Sequence, residues 1–238
     1  MPANPASTAR FAGLLYLVII VAGIWSEGFV RSAMTVPGDA AATAANILAN
    51  EAMFRMSFAA DVVMALSDAG LAVLLYILLK PVSHTLALAA MVFRLIQTAV
   101  LASNLMNQDA ALMLLNGAAS LTGFDTAQLQ SLALLRLEVQ SHGYDLGLVF
   151  FGINSLLVAA LLIRARFTPS LIGYLMLAAG LVYLTGSSLV FLAPALVEDF
   201  AMASAVPVLA EATFALWLIV RGVKADAWRE AAARSLPA

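Results

Sequence analysis

The sequence predicts an all-α integral membrane protein, a polytopic bundle of about six transmembrane helices with short amphipathic helices in its outer connectors. Three observations carry this. Hydrophobic residues fill 63% of the 238 positions and charged residues only 11%, against roughly 25% charged in an ordinary soluble domain. Mean hydropathy is +0.97. Several apolar stretches also reach the roughly 20 residues that a helix needs to cross about 30 Å of hydrocarbon. The net charge of −2 excludes the basic face that nucleic-acid binding requires. With no cysteine, disulfides and thiol chemistry are excluded as well.

The spans read, in order, as about 11–30, 55–79, 84–106, 143–163, 169–193 and 202–221, within a single membrane domain covering 1–238. The first follows a short polar leader carrying Arg10. It exceeds the roughly 7–15 residues of a signal-peptide core, and further hydrophobic segments follow, so it reads as a retained anchor. Pro81 forces a tight break between the second and third spans, and the stretch from Arg164 to Pro169 does the same between the fourth and fifth. Among the outer connectors, 38–52 opens with Gly-Asp before an Ala-rich run, which suits a short capped helix. Residues 126–140 are amphipathic, and two readings stay open. Either they form a helix on the membrane surface or over the bundle, or they extend the fourth span outward with an interruption near Gly143. The tail from Lys224 reads as a frayed helix end.

The basic residues set orientation. With the N-terminus in the cytoplasm, Arg10, Lys80, Arg164, Arg166, Arg221, Lys224, Arg229 and Arg234 lie inside and Arg31, Arg55 and Arg136 outside, eight against three. The expectation is a protein of the cell (plasma or inner) membrane with both termini cytoplasmic.

Charged residues within apolar runs are the candidate functional features, since an ionised side chain at bilayer depth costs several kcal/mol or more unless paired. Counting from the cytoplasmic ends places Asp68, Arg94, Asn154 and Glu211 near the midplane. Glu27, Asp61, Asn104, Gln108, His142 and Asp145 fall nearer the outer surface. Ser57, Asp61, Ala65 and Asp68 share one face of the second span, and Arg94, Gln97, Leu101, Asn104 and Gln108 share one face of the third. The two stripes are expected to face each other in a hairpin, with Arg94 gripping Asp68 bidentately. Such a pair can be a static device that fixes helix register or the heart of a gated, proton-linked site. Glu211 at the same depth would compete for the arginine, or would bond to a carbonyl freed by Pro207.

At the outer level, His142 and Asp145 are spaced i and i+3 and can share a helix face. That spacing suits an acid–base dyad, a pair of metal ligands or a plain solvated helix start; with two histidines in the chain, no metal site is expected. No phosphate-binding loop, nucleophile elbow or haem ligand pair is present, so no catalytic residue, metal or cofactor is implied beyond the weak candidates His142 and Asp145. Gly173, Gly180 and Gly186, with Ala178 and Ala179, allow close helix packing in the fifth span. Trp25 and Trp217 suit interfacial or packing positions.

The stretches ARFAGLLYLVIIVAGIWSE, TAANILANEAMFRMSFAADVVMALSDAGLAVLLYILLKPV and LALAAMVFRLIQTAVLASNLM resemble the family catalogued as domain of unknown function 4386. These are small, mainly prokaryotic multi-pass membrane proteins. The likeness spans nearly the whole chain and is most specific across Asn46 to Leu105, where its FR, AAD and FRL positions fall on Arg55, Asp61 and Arg94. It implies placement and architecture but no reaction. The partners expected are therefore the lipid bilayer and a small-molecule ligand, with no nucleic acid. The function classes in play are a protein that binds or translocates a small or lipidic solute, a membrane enzyme with an outer-interface site around Asp61, His142 and Asp145, and a structural or accessory subunit.

Overall fold

The computed structural model describes residues 4–117 and 121–234. They are helical, with no strand among the described residues. The helices are α1 (Pro5–Met34), α2 (Ala40–Ala49), α3 (Glu51–Leu79), α4 (His84–Leu115), α5 (Thr126–Arg164), α6 (Ser170–Leu192), α7 (Ala205–Val220) and α8 (Ala225–Arg234). Short helical turns at Pro194–Leu196, Val197–Phe200 and Ala201–Ser204 lead into α7. Six helical runs, namely α1, α3, α4, α5, α6 and Pro194–Val220, are long and apolar enough to cross a bilayer. The chain is a multi-pass helical membrane protein.

Local chemistry explains where the helices begin. Asn4 Oδ1 accepts from the amides of Ala6 and Ser7 at 3.1 and 3.3 Å, capping α1. Asp39 caps α2 through the Ala42 amide at 2.9 Å, in the connector where Gly-Asp predicts a short helix. Ahead of α5, Asp125 and Gln128 form a reciprocal capping box: the Gln128 amide donates to Asp125 Oδ1 at 2.8 Å, and the Asp125 amide donates to Gln128 Oε1 at 3.0 Å. That box starts α5 far outside the fourth span and decides between the two readings of 126–140. The segment is the first part of a single 39-residue helix, about 58 Å long at 1.5 Å per residue.

Gly143 does not interrupt this helix. A side chain there would overlap the Asn104 amide, so the glycine permits close approach of α4 rather than marking a break. Within α1, residues Ile24–Arg31 are wound as a π-helix, an uncommon geometry that shifts the register of the side chains it carries.

The described residues gather into two compact units. The first comprises residues up to 18, 66–98 and from 145 onward; the second comprises 19–65 and 99–144. In the first, small residues set the packing distances. A Cβ at Gly13 would lie 2.8 Å from the Ala215 carbonyl, and one at Gly173 would lie 2.8 Å from the Ile163 amide. Larger residues at either position would force those helices apart. In the second unit, Val30 and Met34 of α1, Ile47 of α2, Phe54 of α3, Leu112 of α4 and Leu137 of α5 form one buried core, against which Trp25 packs. Ile47 is fully buried, so α2 caps this unit.

The C-terminal segment corrects one expectation. Residues Ala225–Arg234 form a helix rather than a frayed end, and 235–238 lie outside the described residues: Gly222, at φ +62°, donates its amide to the Trp217 carbonyl at 3.0 Å, and this left-handed turn leads into α8. Trp228 of α8 is buried, and its indole Nε1 donates at 2.8 Å to the Leu78 carbonyl, one of the last four carbonyls of α3, which lack partners within their own helix. A tail rich in charge looks frayed because one tryptophan among Asp226, Arg229 and Glu230 is a faint signal; Trp228 and Ala232 are the residues that α8 buries. Trp228→Ala is expected to destabilise the protein by about 3–5 kcal/mol, and Trp228→Phe by about 1–3 kcal/mol from the orphaned carbonyl. Unfolding midpoints of the purified protein in micelles test this, and an unchanged midpoint for Trp228→Ala would show that α8 contributes nothing.

Candidate functional site

Each unit contains one buried arginine, and each arginine organises a polar network. In the first unit α3 presents Asp68 and α4 presents Arg94, 4% and 1% exposed. Arg94 Nε and Nη2 both donate to Asp68 Oδ1, at 2.8 and 2.5 Å. The fork therefore closes on one oxygen rather than on both, which differs from the bidentate grip expected. Thr98, one turn beyond Arg94, supplies the missing donor: its hydroxyl donates to Asp68 Oδ2.

Aromatic rings enclose the guanidinium. Its Cζ lies 5.1 Å from the Tyr16 ring centroid and 5.0 Å from that of Phe151, within the distance at which a cation is drawn to a ring face. Phe151 meets Tyr183 edge-to-face at 5.2 Å, and the Tyr183 hydroxyl donates to Glu211 Oε1. No ion pair joins Glu211 to Arg94 among the described residues. Asp68 takes the arginine directly, and Glu211 is linked to the group through Tyr183 and Phe151. Pro207 frees no carbonyl for Glu211 to bind, because it sits in the first turn of α7, where an N–H has no helical partner anyway.

Asn154 of α5 completes this group. It is 2% exposed and donates through Nδ2 to the Ala90 carbonyl at 2.7 Å. Its Oδ1, together with Gln97 Oε1 and Ser155 Oγ, is buried with no hydrogen-bond partner among the described residues.

The second unit holds the outer residues differently. Asp61 is 2% exposed, and its two oxygens accept from the Ser26 hydroxyl and Arg31 Nη1. Arg31 also binds Glu27 Oε2 through Nε at 2.8 Å and Nη2 at 2.7 Å. Gln108 Oε1 accepts from Arg31 Nη1 at 3.3 Å and from Gln140 Nε2 at 3.4 Å, while Gln108 Nε2 donates to Ser57 Oγ at 2.8 Å. Asn104 Nδ2 donates to the Gln140 carbonyl at 2.6 Å.

Asp61 thus belongs with Arg31, not with the Arg94 group. From sequence alone Arg31 reads only as an outer-side charge. The signal that could have found it is the buried carboxylate itself, which needs a counterion, and Glu27 lies four residues before Arg31 on the same helix. Tyr16, Thr98 and Tyr183 carry no comparable signal, since each looks like an ordinary membrane-helix residue. His142 is exposed, with Nδ1 against the Glu138 carbonyl at 2.9 Å, and Asp145 is half-buried. Among the described residues no three His, Asp or Glu side chains converge on a metal-binding geometry.

A family model described as domain of unknown function (DUF4386) matches residues 11–222, and the chain belongs to this family. No curated protein and no solved structure matches it.

The two networks differ in how much depends on a single pair. Arg94→Met leaves Asp68 buried without its counterion and is expected to cost about 3–5 kcal/mol, most of it recovered when Asp68→Leu is added. Asp61→Asn is expected to cost less, because Glu27 still holds Arg31. A double-mutant cycle on unfolding in micelles checks both; equal losses for Arg94→Met and Asp61→Asn would contradict the contrast.

Proposed function

We propose that this family member binds, and carries across the bilayer, a small or lipidic solute at the Arg94–Asp68 core of its first unit. One observation carries the reading: beside Arg94 lies a buried amide oxygen that the protein itself does not satisfy. A pair that merely fixes helix register needs its own charges paired and nothing more. Here Asn154 Oδ1, in the lining of the same cavity as Arg94, is left over. Each unsatisfied buried group costs about 1–3 kcal/mol, and a polar guest offsets that cost. Intramembrane ionisable residues with such surroundings mark solute or ion pathways.

The basic residues support a protein of the cell membrane with both termini in the cytoplasm, which puts the Lys80, Arg164 and Arg221 end of the first unit on that side. In the second unit the Arg31–Asp61 pair is closed, with Glu27 exposed at its edge. Enzyme chemistry at the outer interface gains no support, because both oxygens of Asp61 are engaged by Ser26 and Arg31.

Reconstitution into liposomes tests the proposal. Glycerol, urea and acetate fluxes are followed by stopped-flow light scattering, and exchange of a fluorescent short-chain phospholipid between leaflets covers the lipidic arm. At least one flux is expected above the protein-free rate and is expected to fall to that rate in Asp68→Leu/Arg94→Met. If every flux stays at the protein-free rate with intact wild-type protein, the pair is a register device and the solute reading fails.

A further inference from the structure

A small cavity in the first unit ends at Arg94. It runs between α3, α4 and α5, and its lining includes Ala72, Leu75, Tyr76, Met91, Arg94 and Asn154. On α3 the lining covers two turns, from Ala72 to Leu79, and on α4 two turns, from Ala87 to Arg94, so it extends about 10 Å along the helices. Its direction is set by sequence: from Arg94 and Asn154 it leads toward the α3–α4 turn that carries Lys80 and His84. Most lining residues are buried, whereas Tyr76 and Met91 are half-buried. Tyr76 is held in place by a 3.1 Å hydrogen bond between its hydroxyl and His84 Nε2, with the Lys80 ammonium 5.8 Å above its ring.

The free volume is ≈10 Å³, close to the smallest space that accepts one water molecule. An apolar void of that size stays empty, but this one has a polar floor. Asn154 Oδ1 is buried and needs a donor. Arg94 offers N–H groups beyond the Nε and Nη2 bonds to Asp68. A water between them accepts from the guanidinium and donates to the amide oxygen, which supplies the two or more polar partners that a buried water requires.

We propose that this cavity is a one-sided hydrated inlet, with a water molecule seated between Asn154 Oδ1 and the Arg94 guanidinium and Tyr76, latched by His84, at its mouth. Water and water-sized solutes reach Arg94 from the Lys80–His84 end, and Tyr76 limits their entry. This deepens the solute-site reading by giving the site a side of access, and it is read out without any flux.

The absence of native cysteine allows a direct test. Single variants Ala72→Cys and Val158→Cys place a thiol in the lining, and Ala179→Cys, fully buried in α6 away from the cavity, is the control. Purified protein in liposomes is exposed to Ag⁺, an ion small enough for such a passage, and the thiols left unblocked are counted with a maleimide after denaturation. The lining cysteines are expected to be blocked about tenfold faster than Ala179→Cys, the ratio given by about 1.4 kcal/mol of easier access. Tyr76→Ala is expected to speed the lining cysteines further and leave the control unchanged. Equal rates for lining and control cysteines, or lining rates indifferent to Tyr76→Ala, would overturn the inlet. That result would leave the flux measurements to judge the solute site separately.

Discussion

Placing a guanidinium inside an apolar bundle is the constraint from which the first unit follows. Arginine stays charged in a protein and cannot relieve its burial by losing a proton. Everything within reach of Arg94 is accordingly a group that tolerates or compensates a cation. Asp68 supplies the charge, Thr98 finishes the carboxylate, and Tyr16 and Phe151 offer ring faces. The requirement also fixes helix placement. Asp68 and Arg94 meet only if α3 and α4 pack as a tight hairpin at one register, which the turn around Pro81 permits. The rings come from α1 and α5, so one charge ties four helices together.

The second unit solves a similar problem with a different balance. Arg31 has two carboxylates, and one of them, Glu27, is 56% exposed. Its attraction is screened by solvent and contributes correspondingly less, but it gives the arginine an alternative partner that Arg94 lacks. The oxygens of Asp61 and Gln108 are all engaged. A network this complete needs no guest and is suited to holding the π-wound part of α1 in position. The Arg94 group, by contrast, is tightly paired at its centre and under-satisfied at its edge.

Much of this was legible in the sequence because depth and helical face are simple functions of position. Asp68 and Arg94 stand at matched distances from the Pro81 turn, so a hairpin brings them together. Ser57 and Gln108 meet for the same reason. What escaped reading depends on contacts between helices distant in sequence. Tyr16 and Tyr183 give no sign of their roles until α1 and α6 are packed beside α4 and α5. The π-helix at Ile24–Arg31 has no recognisable composition, and without it the face of Arg31 is miscounted. The start of α5 is written in Asp125 and Gln128, a capping box that lies well before the apolar run begins. Gly143 misled because glycine reads as a helix breaker, while here it answers to a neighbouring asparagine.

The choice between a structural and a functional Arg94 turns on what natural selection could have done more cheaply. Apolar residues of similar volume often hold helices as well as a buried ion pair does, or better. Register could thus be fixed by packing, and the small residues at Gly13 and Gly173 already enforce close, specific contacts in this unit. An ion pair kept in that setting, with a buried amide oxygen beside it that has no protein partner, is an expensive way to obtain what the glycines provide. Its cost becomes intelligible if that oxygen meets something that enters from outside. The cavity against Arg94 and Asn154 lies where such a guest would have to arrive.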